Sequence, residues 1–98
     1  MAETWPTLLH MQGVRLALQG ELEQAEEKFR AADAQLTYRE SVSGLFKLRN
    51  RLLLVETLFT QGRDAEAHQL LAKVRTVNPA VVGEFEENGL KFLGLERG

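Results

Sequence analysis

Few residues of this chain have the type and spacing that acid–base or metal chemistry requires. Asp64 and His68 lie four residues apart, so they share one helix face and could supply half of a metal site. A third ligand is missing from that face, and an exposed polar pair is the favoured interpretation. His10 could act as a general base, but no acid or nucleophile accompanies it at a recognisable spacing. We therefore expect no catalytic residue, no metal, no cofactor and no enzymatic activity.

A short basic cluster is the second feature that could bind a ligand. Lys47, Arg49 and Arg51 stand at alternate positions, and Lys47 shares a helix face with Arg51. Together with Arg39 they could hold a phosphate, an acidic peptide or nucleic acid. The chain has 12 basic and 14 acidic residues and a net charge of −2, without the basic excess that binding to phosphate backbones needs. A solvated helix face is favoured, and nucleic acid is not expected as a partner.

Length and composition predict one small globular domain over residues 1–98. This length is enough for a single core, and 44% of the residues are apolar. The absence of cysteine suits a reducing compartment. The N-terminus lacks a signal-peptide pattern, and the densest apolar run, residues 52–55, is far too short to span a membrane. We expect a cytoplasmic protein without membrane contact.

Apolar residues recur with helical spacing along the chain, which predicts an all-α fold of about five helices. The predicted elements are a helix pair over residues 5–36, a pair with a long first helix over residues 38–78, and a last helix over residues 80–95. Gly20 and Gly62 separate the helices of each pair, and Asn78 and Pro79 end the fourth helix. No stretch alternates apolar and polar residues for long enough to predict a strand.

Two parts of the chain share one spacing of small and bulky residues. The spacing of Gly13, Leu16, Gly20, Ala25, Phe29 and Ala32 recurs as Val55, Leu58, Gly62, Ala67, Leu71 and Val74, and Gly89 opens a third, partial unit between Phe85 and Phe92. This pattern resembles the tetratricopeptide repeat, in which an alanine is followed four residues later by an aromatic residue, as Ala25 is by Phe29. The resemblance implies antiparallel helix pairs stacked as a short superhelix.

Helix pairs of this kind need small side chains where two helices touch and bulky ones between pairs. We expect Gly13 and Ala25 at the crossings, with Phe29 filling the gap between pairs. Gly20 and Gly62 are 42 residues apart, whereas the family's repeat has about 34. The difference, about two helical turns, predicts a lengthened third helix.

In the family that the chain resembles, the inner face of each first helix lines a concave binding surface. Carried over to this chain, that face implies a partner-binding groove made of His10, Val14, Ala17, Arg49, Leu52, Glu56 and Phe59. The mixture of apolar and charged residues suits an amphipathic or extended peptide. The alternative interpretation is that Leu52 and Phe59 belong to the core.

These observations predict a module that binds a peptide or helix of another protein, or another copy of itself. A short repeat array must cover the apolar face of its last unit. For this reason the apolar Phe92, Leu93 and Leu95 of the last predicted helix indicate self-association and an oligomer. The alternative is a regulatory or sensor fragment of a larger signalling or transcription protein.

Overall fold

The computed structural model describes residues 5–37 and 44–97, and within them the chain is all-helical. The helices are α1 (Trp5–Leu18), α2 (Leu22–Thr37), α3 (Gly44–Thr60), α4 (Asp64–Val77) and α5 (Pro79–Glu87). The predicted all-α fold of five helices is confirmed. The first residues of the helix pair predicted over residues 38–78, and Arg39 of the basic cluster, lie outside the described residues. Across the described ranges, no helix combines the length and apolar character that a membrane crossing requires.

Consecutive helices pack on one another in chain order. α1 packs on α2, α2 on α3, α3 on α4 and α4 on α5, and α3 also contacts both α1 and α5. α3 therefore has neighbours on most of its sides, and residues 52–58 are buried without interruption. This agrees with its sequence, which is apolar on most faces of the helix.

Three turns of the chain share one backbone geometry. At each turn a glycine with a left-handed φ follows a helix: Gly20 at 83°, Gly62 at 79° and Gly89 at 75°. The N–H groups of the glycine and of the next residue donate to carbonyls of the last helical turn, as Gly89 does to Glu86 and Leu90 to Phe85. This is the Schellman motif, which satisfies carbonyls left free at a helix end.

The last helix is shorter than the sequence predicts. The prediction of a helix over residues 80–95 is wrong in its extent, because α5 ends at Glu87 and residues 88–97 form neither helix nor strand. Gly89 falls inside the predicted helix, but its left-handed φ lets it close the turn that ends α5. The chain then reverses direction and returns to α3.

At Gly13 the backbone of α1 lies close against Phe29 of α2. A Cβ built on Gly13 would lie 2.7 Å from Cε1 of Phe29, well inside van der Waals contact. Ala25 and Ala67, the alanines expected at the two crossings, are fully buried. Small residues therefore occupy the positions where paired helices touch, as the spacing predicts.

A carboxylate ties α2 to the turn between α3 and α4. Glu26 accepts hydrogen bonds from Arg30 Nε at 2.9 Å, from Gln61 Nε2 at 3.1 Å and from the Arg63 guanidinium. Burial of the Glu26 carboxyl works to raise its pKa. The hydrogen bonds from Arg30, Gln61 and Arg63 outweigh burial and hold the pKa of Glu26 below its ordinary value.

We expect Glu26→Gln to destabilise the protein in a pH-dependent way. A carboxyl whose pKa is lower in the folded state stabilises the fold above its unfolded pKa, and this contribution is lost as the pH falls through the folded pKa. The variant should unfold more easily than the wild type at pH 7, by about 0.5–1 kcal/mol. The difference should shrink as the pH falls below the ordinary value of 4.5.

Urea denaturation of both proteins at pH 7 and at pH 3 measures this difference. Glu27→Gln on the exposed face of α2 is the control and should show no comparable pH dependence. An equal destabilisation by Glu26→Gln at both pH values would contradict the prediction.

Candidate functional site

One side of α3 is covered by residues 90–97, which we call the C-terminal segment. The segment is held by Glu56, whose Oε1 accepts hydrogen bonds from the N–H groups of Phe92 at 2.7 Å and Leu93 at 2.9 Å. Oε2 of Glu56 accepts from the N–H of Leu95 at 2.9 Å. The side chain of Glu56 is only 1% exposed, so these backbone groups stand where water would otherwise solvate it. We call this arrangement the Glu56 seat.

Side chains of the C-terminal segment strengthen its attachment. Leu95 is buried in the main core, and the ring of Phe92 packs edge-on against Phe85 with 5.0 Å between ring centroids. At the outer end, the Arg97 guanidinium donates to the carbonyl of Phe59 at 2.7 Å and to Asp64 at 2.6 Å. The structure thus shows α3 holding a bent, non-helical piece of chain mainly through its backbone N–H groups.

A cleft of about 430 Å³ remains open beside the C-terminal segment. It lies between α1, α3, α5 and the segment, and is lined by His10, Val14, Arg49, Leu53, Glu84, Asn88, Lys91, Phe92 and Leu93. Val14, Leu53, Phe92 and Leu93 give it apolar surface. Arg49 and Lys91 supply two positive charges against the one negative charge of Glu84. The Arg49 guanidinium lies 6.0 Å from the centre of the Phe92 ring.

A buried amide holds one wall of this cleft. Asn50, fully buried on α3, donates from Nδ2 to the carbonyl of Phe29 on α2 at 2.9 Å. Its Oδ1 therefore faces Nδ1 of His10 on α1, 2.8 Å away. Because an amide oxygen only accepts, Nδ1 of His10 carries the proton in this bond. His10 also packs against the ring of Phe46, with 4.8 Å between centroids, so both its tautomer and its position are determined.

We expect Asn50→Leu to lower the free energy of unfolding by about 1–3 kcal/mol, because the substitution removes the bonds that join α3 to α1 and α2. Guanidinium denaturation measures the loss. The same change at exposed Asn88 serves as the control and should stay within about 0.5 kcal/mol of the wild type. A neutral Asn50→Leu would show that the two hydrogen bonds add nothing to stability.

The structure divides the seven predicted groove residues into three groups. His10, Val14 and Arg49 line the open cleft. Ala17 lies in the core, beside the gap between α1 and the C-terminal segment. Leu52, Glu56 and Phe59 form the third group, on the part of α3 that other elements cover.

For this third group the groove prediction needs correction. Leu52 is fully buried in the core, as the alternative interpretation held, because α3 has neighbours on most sides. Glu56 faces the C-terminal segment and presents no free surface to a partner. Phe59 is half-buried, and its ring packs edge-on against His68 with 4.9 Å between centroids.

The three residues predicted for self-association lie within the protein's own fold. Phe92 and Leu93 are half-buried and Leu95 is buried, all of them on the C-terminal segment rather than on a helix. They are therefore not a free apolar helix face. A different apolar stripe is exposed on α1, made of Trp5, Leu8, Met11 and Leu18. The sequence analysis did not single out this stripe, although its residues share one helix face.

The other candidate residues have structural partners. Asp64 binds Arg97 and His68 packs on Phe59, so the two do not face a common ligand. No group of three acidic, histidine or cysteine side chains that could hold a metal is found in residues 5–37 and 44–97. In the basic cluster, Arg51 donates to Asp33 of α2 at 2.7 Å, so it is paired within the fold.

Two structural roles were not predicted from the sequence: Asn50 joins α3 to α1 and α2, and Glu56 holds the C-terminal segment. A signal for Glu56 was present, because it is the single charge among residues 52–60, which are otherwise apolar apart from two threonines. A lone acid in a helix that is apolar on most faces indicates a buried carboxylate with bound donors. Asn50 stands between two arginines, and nothing in this sequence context distinguishes it from an exposed polar residue.

Comparison of the chain with protein-family models, curated proteins and solved structures found no match.

Proposed function

We propose that this chain is a protein-interaction module of the tetratricopeptide type, which binds an extended segment of a partner protein in the cleft between α1, α3 and α5. The observation that supports it best is the composition of the cleft, which joins apolar surface from Val14 and Leu53 to the cations Arg49 and Lys91. Helical repeat modules bind peptides through such mixed concave surfaces. The module acts by binding, not by catalysis.

The cleft favours a partner segment that carries both an apolar and an acidic side chain. Its volume of about 430 Å³ falls at the small end of the range for ligand pockets, which is enough for two or three side chains. An aromatic or aliphatic side chain would bury apolar surface against Leu53. A carboxylate beside it would face Arg49, whose planar guanidinium suits bidentate binding. A reducing compartment such as the cytoplasm suits this cysteine-free chain.

We expect Arg49→Glu to weaken peptide binding about tenfold or more, because it turns attraction for an acidic segment into repulsion. Selection of displayed random peptides on the full chain, followed by titration of the enriched peptides, measures this effect. Lys73→Glu, an equal charge change on the outer face of α4, is the control and should leave binding nearly unchanged. Peptides enriched without acidic residues, or bound equally by Arg49→Glu, would contradict the proposal.

A further inference from the structure

The C-terminal segment and the Glu56 seat are complementary, and each copy of the chain carries one of each. Two copies together therefore have two segments and two seats. The seat binds the segment through backbone N–H groups of Phe92, Leu93 and Leu95, together with apolar contacts. A second copy offers the same N–H groups in the same order. The seat therefore accepts the segment of either copy with the same contacts.

The link between α5 and the C-terminal segment is strained in the closed form. Gly89 and Leu90 both have left-handed backbone angles, with φ of 75° and 63°. Glycine adopts this region freely, but a leucine there places its Cβ against the backbone. Opening the link relieves this strain. A continuation of α5 past Glu87, which would make residues 88–95 helical, would carry the segment away from its own α3.

Detachment of the C-terminal segment from its own Glu56 seat is unfavourable in free energy when nothing replaces it. Glu56 would lose three donors at a site that is 1% exposed, and the apolar Phe92 and Leu95 would face water. The arriving segment of another copy restores every one of these contacts. Reciprocal exchange fills both seats. The remaining free-energy cost is then the entropy lost when two copies associate.

From these observations we infer that two copies of this chain exchange their C-terminal segments, each segment binding the Glu56 seat of the other copy. Phe92 and Leu93 border both the Glu56 seat and the cleft assigned to a partner peptide, so exchange and peptide binding are tested with different variants. The inference also changes the role of Phe92, Leu93 and Leu95 in self-association. They contribute by binding the Glu56 seat of the other copy, not by forming an exposed apolar patch.

A mixing experiment with two full-length variants tests the exchange. Glu56→Ala disables the seat and keeps the segment, whereas Leu95→Asp disables the segment and keeps the seat. Each variant alone should be monomeric. When the two are unfolded together, refolded at high concentration and analysed by native mass spectrometry, they should give a dimer containing one copy of each. A mixture that stays monomeric overturns the inference. A Leu95→Asp variant that dimerises alone as well as the wild type also overturns it and assigns the contact to the stripe on α1.

Variants of Gly89 and Leu90 test the same inference without altering Glu56 or the residues whose N–H groups it binds. A Cβ on Gly89 meets no atom within 4 Å, so Gly89→Ala acts only through the left-handed φ and should raise the dimerisation constant about tenfold. Leu90→Gly relieves the strain in the closed form and should lower the constant about tenfold. Sedimentation equilibrium over a range of concentrations measures both. Circular dichroism shows whether the seat variants fold. If they do not, the link variants test the inference alone, and equal dimerisation constants for Gly89→Ala and Leu90→Gly overturn it.

Discussion

Replacing Glu56 with alanine is expected to lower the free energy of unfolding by about 3 kcal/mol, and to free residues 90–97 before the rest of the protein unfolds. Each of the three N–H groups bound by the carboxylate loses a charge-assisted hydrogen bond, worth more than a neutral one. Detachment of the segment limits the loss, since its N–H groups can then bind water. Alanine keeps the helix propensity of α3, so the backbone itself is not weakened.

Two measurements separate this effect from general destabilisation. Urea denaturation gives the total loss of stability, and native-state hydrogen exchange locates it. Amide protection should fall at Phe92, Leu93 and Leu95, while the amides of α1 and α2 keep their order of protection. Glu87→Ala, an exposed acid at the end of α5, is the control and should change stability by less than about 0.5 kcal/mol. Unchanged protection of the segment in Glu56→Ala would show that the seat does not hold it.

Gly13→Ala should lower the free energy of unfolding by about 1–3 kcal/mol, although alanine is the better helix former. The new Cβ would lie 2.7 Å from Cε1 and 2.8 Å from Cδ1 of Phe29. Phe29 is fully buried among α1, α2 and α3, so its ring cannot move into solvent to make room. α1 must therefore move away from α2, and the core loses contact over the whole crossing.

Gly83→Ala in α5 is a matched control, for which we expect a change in stability of opposite sign. A Cβ on Gly83 meets no atom within 4 Å, so the substitution should raise stability by about 0.5–1 kcal/mol through helix propensity alone. Thermal unfolding of both variants measures the contrast. A double variant with Phe29→Leu should recover part of the loss at Gly13, because the smaller side chain leaves room for the methyl group. A stabilising Gly13→Ala would disprove the close crossing.

The proposed peptide-binding cleft and the Glu56 seat differ in chemistry. The cleft is lined by the side chains of Arg49 and Lys91 and by apolar neighbours. The seat offers backbone recognition, because its ligand is a row of N–H groups. Phe92 and Leu93 belong to both, since they line the cleft and follow the seat. Exchange of the segment between copies should therefore preserve the cleft, with one wall contributed by the other copy.

Local residue patterns were sufficient to predict an all-helical chain of five helices and its first two turns, but not the end of α5. Helical spacing, the glycines at positions 20 and 62, and Asn78 before Pro79 act within a few residues of one another, so the chain shows them without knowledge of its fold. The small residues at the crossings followed from the repeated spacing as well. Gly13 and Ala25 recur at intervals that place them on the face between paired helices.

The end of α5 and the roles of Glu56 and Asn50 depend on contacts between distant parts of the chain. Gly89 is compatible with a weak helix interior or with a left-handed turn, and the nearby residues favour neither choice. The turn forms because Glu56, 36 residues before Phe92, accepts hydrogen bonds from the backbone N–H groups that follow the turn. Asn50 likewise finds His10 from 40 residues away. A buried polar side chain is stable only beside donors or acceptors brought by other helices, so its role emerged when those helices packed.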